Sequence, residues 1–162
     1  MTWGNPPKFI PNLPKKGKVI TPEQLASSGS EDGEQAALFC WCAMNVEWYP
    51  QLKWLHAIPN GGDRHVATAA KMVATGLRSG VWDIFLPLPI EILWADLIDK
   101  VRYHGLYIEM KHQKHKTHRN GGLTAEQVEF RDYAVSMGYY CAVCYSWEEA
   151  RDILIQYIEL KL

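Results

Sequence analysis

The sequence predicts an α/β domain in which one mixed sheet is flanked by helices. Three observations carry this. Short apolar runs, GVWDIFLPL (80–88), GLYIEMK (105–111) and YYCAVCY (139–145), have the length and residue types of buried strands. Longer segments between them place apolar residues at helical spacing, with capping residues at their starts and glycines at their ends. The 162 residues, 48% apolar and 22% charged, suit one domain with a real core.

Residues 1–29, rich in Pro, Gly, Lys and Ser, read as an irregular N-terminal arm, and residues 30–162 as the folded domain. Ser30 is placed as a helix N-cap, with Glu31, Asp32 and Glu34 in a first turn where the helix dipole favours anions. Ala37, Leu38, Trp41, Met44 and Trp48 then recur every three or four residues until Pro50. LKWLHAI (52–58) reads as a strand closed by the turn at Asn60, Gly61 and Gly62. HVATAAKMVAT (65–75) reads as a second helix with Gly76 as its left-handed cap. After the strand at 80–88 comes an insertion over about 88–104. Ile92, Leu93, Leu97, Ile98 and Val101 fall at helical spacing there, so it is expected to carry its own helix. The segment 123–138 is a helix capped by Thr124 and stopped by Gly138. The last helix, 146–160, opens on a Ser146–Glu149 capping box.

Bulk properties exclude some functions. The net charge of −1 gives no overall cationic field. Locally, KHQKHKTHR (111–119) holds four Lys or Arg and three His with no carboxylate, which fits either an anion-binding loop or a solvated surface loop. No run reaches the roughly 18 apolar residues of a membrane span, and the N-terminus lacks a signal-peptide core. A soluble cytoplasmic protein is expected. Cys40, Cys42, Cys141 and Cys144 read as free thiols, because a strand such as YYCAVCY cannot turn both cysteines of its CxxC toward one metal.

Two neighbouring strands carry residues that do not belong in a sheet core. Asp83 interrupts V-W-D-I-F-L, and Glu109 and Lys111 interrupt L-Y-I-E-M-K. Glu109 and Lys111 share a face, roughly 7 Å apart along the strand. Buried carboxylates need compensation. A salt bridge among the three residues balances only one of the two negative charges. A divalent cation would balance the surplus, with oxygen ligands from Asp83, Glu109 and the Met110 carbonyl.

These residues form the D…ExK arrangement of the PD-(D/E)xK nucleases, with Trp82 in place of the proline. The wider pattern is more specific. Glu34, HAIPNGGDR (56–64), KMVATGLRSGVWD (71–83), GLYIEMK and LTAEQVEFRDYAVSMGYYCAVCYSWEEA (123–150) together resemble the VRR-NUC family, over roughly residues 30–155. The resemblance is to the stand-alone members found in bacteria and their phages. It implies a restriction-endonuclease-like PD-(D/E)xK core, with metal-binding acids at Glu34, Asp83 and Glu109, a catalytic lysine at Lys111 and a motif glutamine at Gln127. The insertion at 88–104 is longer than the family's usual link.

The resemblance further implies a Mg²⁺- or Mn²⁺-dependent DNA endonuclease selective for branched DNA such as four-way (Holliday) junctions, working as a homodimer in a bacterial or phage-infected cell. The apolar residues of the insertion are the expected dimer patch. Lys114, Lys116, Arg119, His56 and Arg64 are candidate phosphate contacts. Two other readings stand beside this one: a restriction- or repair-type nuclease on duplex or flap DNA, and a non-catalytic DNA-binding module. Individual residues also have ordinary explanations. Glu34 lies where any helix favours an acid, and Gln127 lies where a capping box wants Gln.

Overall fold

The computed structural model describes residues 20–59, 66–92 and 101–160. Its first element lies inside the segment expected to be irregular. Helix α1 (Pro22–Ala26) is closed by a complete capping box: Gln24 N donates to Thr21 Oγ1 at 3.4 Å, and Thr21 N to Gln24 Oε1 at 3.1 Å. Thr-Pro-Glu-Gln is a start signal in its own right, with Pro at a position where its missing N–H costs nothing. The helix packs on α2 (Glu31–Asn45). A β-carbon on Gly33 would fall 2.7 Å from Ser28 Oγ and 2.8 Å from Leu25 O, so glycine permits the approach.

Helix α2 starts at Ser30, whose Oγ accepts from Gly33 N at 3.1 Å, and it buries Ala37, Leu38 and Cys42. The strand expected over 52–58 is mostly something else. Residues Pro50–Trp54 form a 3₁₀ turn, and only His56–Ala57 (β1) pair as strand. Leu52 and Leu55 are both buried, three residues apart, which is the 3₁₀ repeat and not the strand repeat. Helix α3 (Val66–Ala74) follows, and Gly76 adopts φ 109° just beyond it, as its cap position requires.

The strand expected over 80–88 is reduced to β2 (Ile84–Leu86). Pro87 and Pro89 have no N–H to give a ladder, and pairing stops there. Next, β3 (Ile90–Ile92) and β4 (Val101–Tyr103) pair antiparallel as a separate ribbon. This corrects the ends of the expected insertion helix, since Ile92 and Val101 are strand residues. Leu93, Trp94, Leu97 and Ile98 lie outside the described residues, as do Asn60 to Arg64.

Strand β5 (Leu106–Met110) is central. It runs antiparallel to β2, with Ile84 opposite Ile108, and parallel to β6 (Tyr140–Cys144). The crossover between β5 and β6 is α4 (Ala125–Ser136), and α5 (Trp147–Ile158) closes the fold. The sheet order is β1-β2-β5-β6. One face carries Ile84, Leu86, Leu106, Ile108, Met110, Ala142 and Cys144 into a core with Leu38 and Cys42 of α2 and Ala150, Leu154 and Tyr157 of α5. The other face bears Phe85 stacked on Tyr107 at 4.5 Å, with Phe130 of α4 edge-on to Tyr107 at 5.1 Å.

All four cysteines are free, and burial pushes the Cys42 and Cys144 thiols up to about 12. No helix among the described residues is long and apolar enough to cross a membrane.

Candidate active site

Strand alternation settles where the odd residues go. Phe85 and Tyr107 oppose each other across β2 and β5. Asp83, two residues before Phe85, and Glu109, two after Tyr107, therefore meet on the same α4-side face. The backbone ties them together: Asp83 N donates to Glu109 Oε2 at 3.3 Å, and Met110 N donates to Asp83 Oδ2 at 3.1 Å. Like charges directly opposed on a sheet are unfavourable, and here one of them is buried and the other half-buried. Glu109 is only 1% exposed. Burial first, then the Asp83 charge, push its carboxyl up to about 7, against the pull of Lys111. Burial raises the Asp83 carboxyl as well.

Lys111 is the local counter-charge. It is 8% exposed, and its Nζ lies 2.8 Å from Glu109 Oε1. Its backbone N–H donates to Cys144 O at 2.9 Å, which carries the β5–β6 ladder past the end of the strand and holds the lysine in register. Gln127 does both things the sequence allowed. Its Oε1 accepts from Thr124 N at 3.0 Å as the reciprocal half of the α4 capping box, and its Nε2 donates to Glu109 Oε1. The cap aims the carboxamide, and the carboxamide reaches the acid.

Of the three acids in the first turn of α2, Glu31 and Glu34 take different partners. Glu34 accepts from Trp147 N at 2.8 Å, satisfying an otherwise open donor at the start of α5. Glu31 accepts from His112 N at 2.8 Å, one residue beyond Lys111, and its charge is among those raising Asp83. Glu31 is thus an acid beside the Asp83–Glu109 pair that sequence reasoning passed over in favour of Glu34. The only hint in the sequence was its place in the same helical turn.

The basic loop is built, not loose. Residues Gln113–His115 form a 3₁₀ turn capped by His112, whose Nδ1 accepts from Lys114 N at 3.1 Å. Lys116 pairs with Glu149 of α5 and stands over the Tyr145 ring, 5.6 Å from its centroid. Glu149 also accepts from Tyr145 N at 2.9 Å, and Tyr145 OH donates to Gly121 O at 3.1 Å. The Ser146–Glu149 box is therefore only half as expected: Ser146 Oγ accepts from Glu149 N at 3.3 Å, while the glutamate side chain reaches back to Tyr145. Lys114 and Arg119 are exposed on this loop. His56 is exposed on the edge strand β1, with its ring edge-on to Phe85 at 5.7 Å. Arg64 lies outside the described residues.

Chemically, the site gathers a buried carboxylate, a half-buried one, an ammonium and a carboxamide at one end of the β2–β5 pair. Among the described residues, no group of three or more His, Cys, Asp or Glu side chains is gathered tightly enough to enclose a cation alone.

The sequence matches no family model and no curated protein. The mixed four-stranded sheet with flanking helices is an α/β fold of the restriction-endonuclease-like type. Among solved structures, the chain superposes on one described as a VRR_NUC domain protein with a TM-score of 0.52 and 23% identity, covering 81% of this chain and 89% of that one. The chain has the fold of a VRR_NUC domain.

Proposed function

We propose that this protein is a VRR-NUC nuclease, a divalent-metal-dependent endonuclease that hydrolyses phosphodiester bonds in DNA. The observation that carries the reading is the opposition of Asp83 and Glu109 across the β2–β5 pair with Lys111 on Glu109, in a chain with that fold. A purely structural ion pair has no use for a second, half-buried acid beside an acid already balanced by Lys111.

The residues present fit a metal. Asp83 and Glu109 are hard oxygen donors carrying one more negative charge than Lys111 offsets, the condition that Mg²⁺ or Mn²⁺ relieves. Asp83, Glu109 and the Met110 carbonyl would hold the ion, with Glu31 or Glu34 of α2 supporting it. Bound there, it supplies positive charge to a scissile phosphate and makes water a better nucleophile.

The chain's own groups do the rest. Gln127 and the Asp83 N–H fix the Glu109 carboxylate from two sides, so the acid is already oriented when substrate arrives. Lys111 Nζ, held at Glu109, orients the attacking water and steadies the negative charge that develops on it. The exposed cations of the 112–119 loop neutralise phosphates flanking the cut.

A branched substrate such as a four-way junction follows from this reading together with a homodimer. Paired cuts on a two-fold junction call for two sites in matching orientation, which a C2 dimer provides. The test is cleavage of duplex, flap, splayed-arm and four-way-junction DNA with Mg²⁺, Mn²⁺ or EDTA, alongside Asp83→Ala. Metal-dependent cutting that Asp83→Ala abolishes is expected. Undiminished cutting by that variant would place the chemistry elsewhere.

A further inference from the structure

Trp82 stands immediately before Asp83 and is fully buried. It is not one of the residues of the main core between the sheet and α2 and α5. Its ring N–H donates to the backbone carbonyl of Gln127 at 3.1 Å. A second contact ties the same two segments. Gly80, at φ 84°, lies so close to α4 that a β-carbon there would fall 2.6 Å from the Glu126 carbonyl carbon and oxygen. The approach to Asp83 is thus pressed against the first turn of α4, the turn from which the Gln127 carboxamide reaches Glu109.

We infer that Trp82 is a positioning residue for the Asp83–Glu109 pair, acting through Gln127. Filling space would need only an apolar ring, and burying an indole N–H is costly unless it is aimed at an acceptor. Here the acceptor belongs to the residue whose side chain holds Glu109. A closed loop results: Trp82 to the Gln127 backbone, the Gln127 side chain to Glu109, and Glu109 to the N–H of Asp83, the residue after Trp82. One rigid circuit sets the distance between the two acids from both ends.

The inference rests on the nuclease reading for its catalytic consequence, but the circuit is measurable without it. In metal-free protein the side-chain amide resonances of Gln127 report its bond to Glu109. Trp82→Phe should move them toward the solvent-exposed position while the backbone spectrum of the sheet persists. In cleavage assays it should lower kcat roughly 10–100-fold with KM for DNA unchanged. In a Gln127→Ala background the same substitution should cost less than about twofold, because the group it acts through is gone. Gln127 resonances unmoved in folded Trp82→Phe, or full additivity with Gln127→Ala, would overturn the inference. If wild-type protein cleaves no DNA, the nuclease reading falls and the resonances alone decide on the circuit. If Trp82→Phe does not fold, benzothienylalanine at position 82 keeps the volume and replaces the ring N–H with sulfur, and the same shifts are expected of it.

Discussion

Lys111 Nζ sits 2.8 Å from Glu109 Oε1, although Lys111 lies one residue beyond the end of the strand that carries the acid. The lysine leans back along β5 to reach the acid, so its ammonium stands beside the carboxylates instead of among the loop cations that follow it.

Removing that ammonium should separate catalysis from binding. Lys111→Ala is expected to lower cleavage by on the order of 10²–10⁴ while DNA affinity changes little. Lys111→Met, which keeps most of the apolar stem, should be equally inactive. Either variant cutting near the wild-type rate would reduce Lys111 to a structural ion-pair partner.

The raised carboxyl of Glu109 makes stability depend on pH in an unusual direction. Its ordinary value is near 4.5, and in the folded protein it stands at about 7. Between these values the folded state binds a proton that the unfolded state has lost, so stability falls as pH rises. The contribution is fully present below about 4.5 and is lost as pH rises through about 7, a loss on the order of 3 kcal/mol. Urea unfolding of metal-free protein at pH 5 and pH 8 should show the drop, and Glu109→Gln should flatten it. Mn²⁺ should restore stability at pH 8, because it binds the folded, deprotonated pair. A metal-free protein equally stable at both values would mean that Glu109 titrates normally.

The acids of α2 should divide by role. Glu34→Gln weakens a bond to the α5 N-terminus and should cost roughly 1 kcal/mol of stability with little change in Mn²⁺ affinity. Glu31→Gln removes a negative charge that raises Asp83, and should change Mn²⁺ affinity measured by calorimetry while hardly moving Tm. The reverse pattern would return the supporting role to Glu34.

That division also shows where the sequence stops being legible. Ser30, Thr124 and Ser146 could be read as caps because a cap is a bond to a neighbour within three residues. The shared face of Glu109 and Lys111 could be read because strand alternation is a local rule. Which of the three first-turn acids faces Asp83 depends on how α2 crosses the sheet, and no local rule reaches that far. The Trp82 bond to Gln127 joins positions on different elements, and no local rule predicts it. The 3₁₀ turn at Pro50 and the paired strands flanking the insertion were misjudged for the opposite reason. Apolar residues three or four apart fit more than one element when the run is short, and prolines 50, 87 and 89 were the better guide.

The basic loop gives the last prediction, because its cations are not equivalent. Lys116 is engaged by Glu149 and lies over the Tyr145 ring, so it anchors the loop to α5. Lys114 and Arg119 are exposed on the same loop. If the loop receives phosphates, each exposed cation releases a counterion on binding, and neutralising it should flatten the slope of log affinity against log salt by nearly one unit. Lys114→Ala and Arg119→Ala should each do this, equally for DNA of any sequence, since phosphate contacts carry no base information. Lys116→Ala should change the slope less, and should show itself instead as faster hydrogen exchange over residues 112–122, where the tie to α5 is lost. Binding isotherms at several salt concentrations, with exchange measured on the same three variants, separate the two roles. A full unit of slope lost in Lys116→Ala with unchanged exchange would make Lys116 a phosphate contact after all.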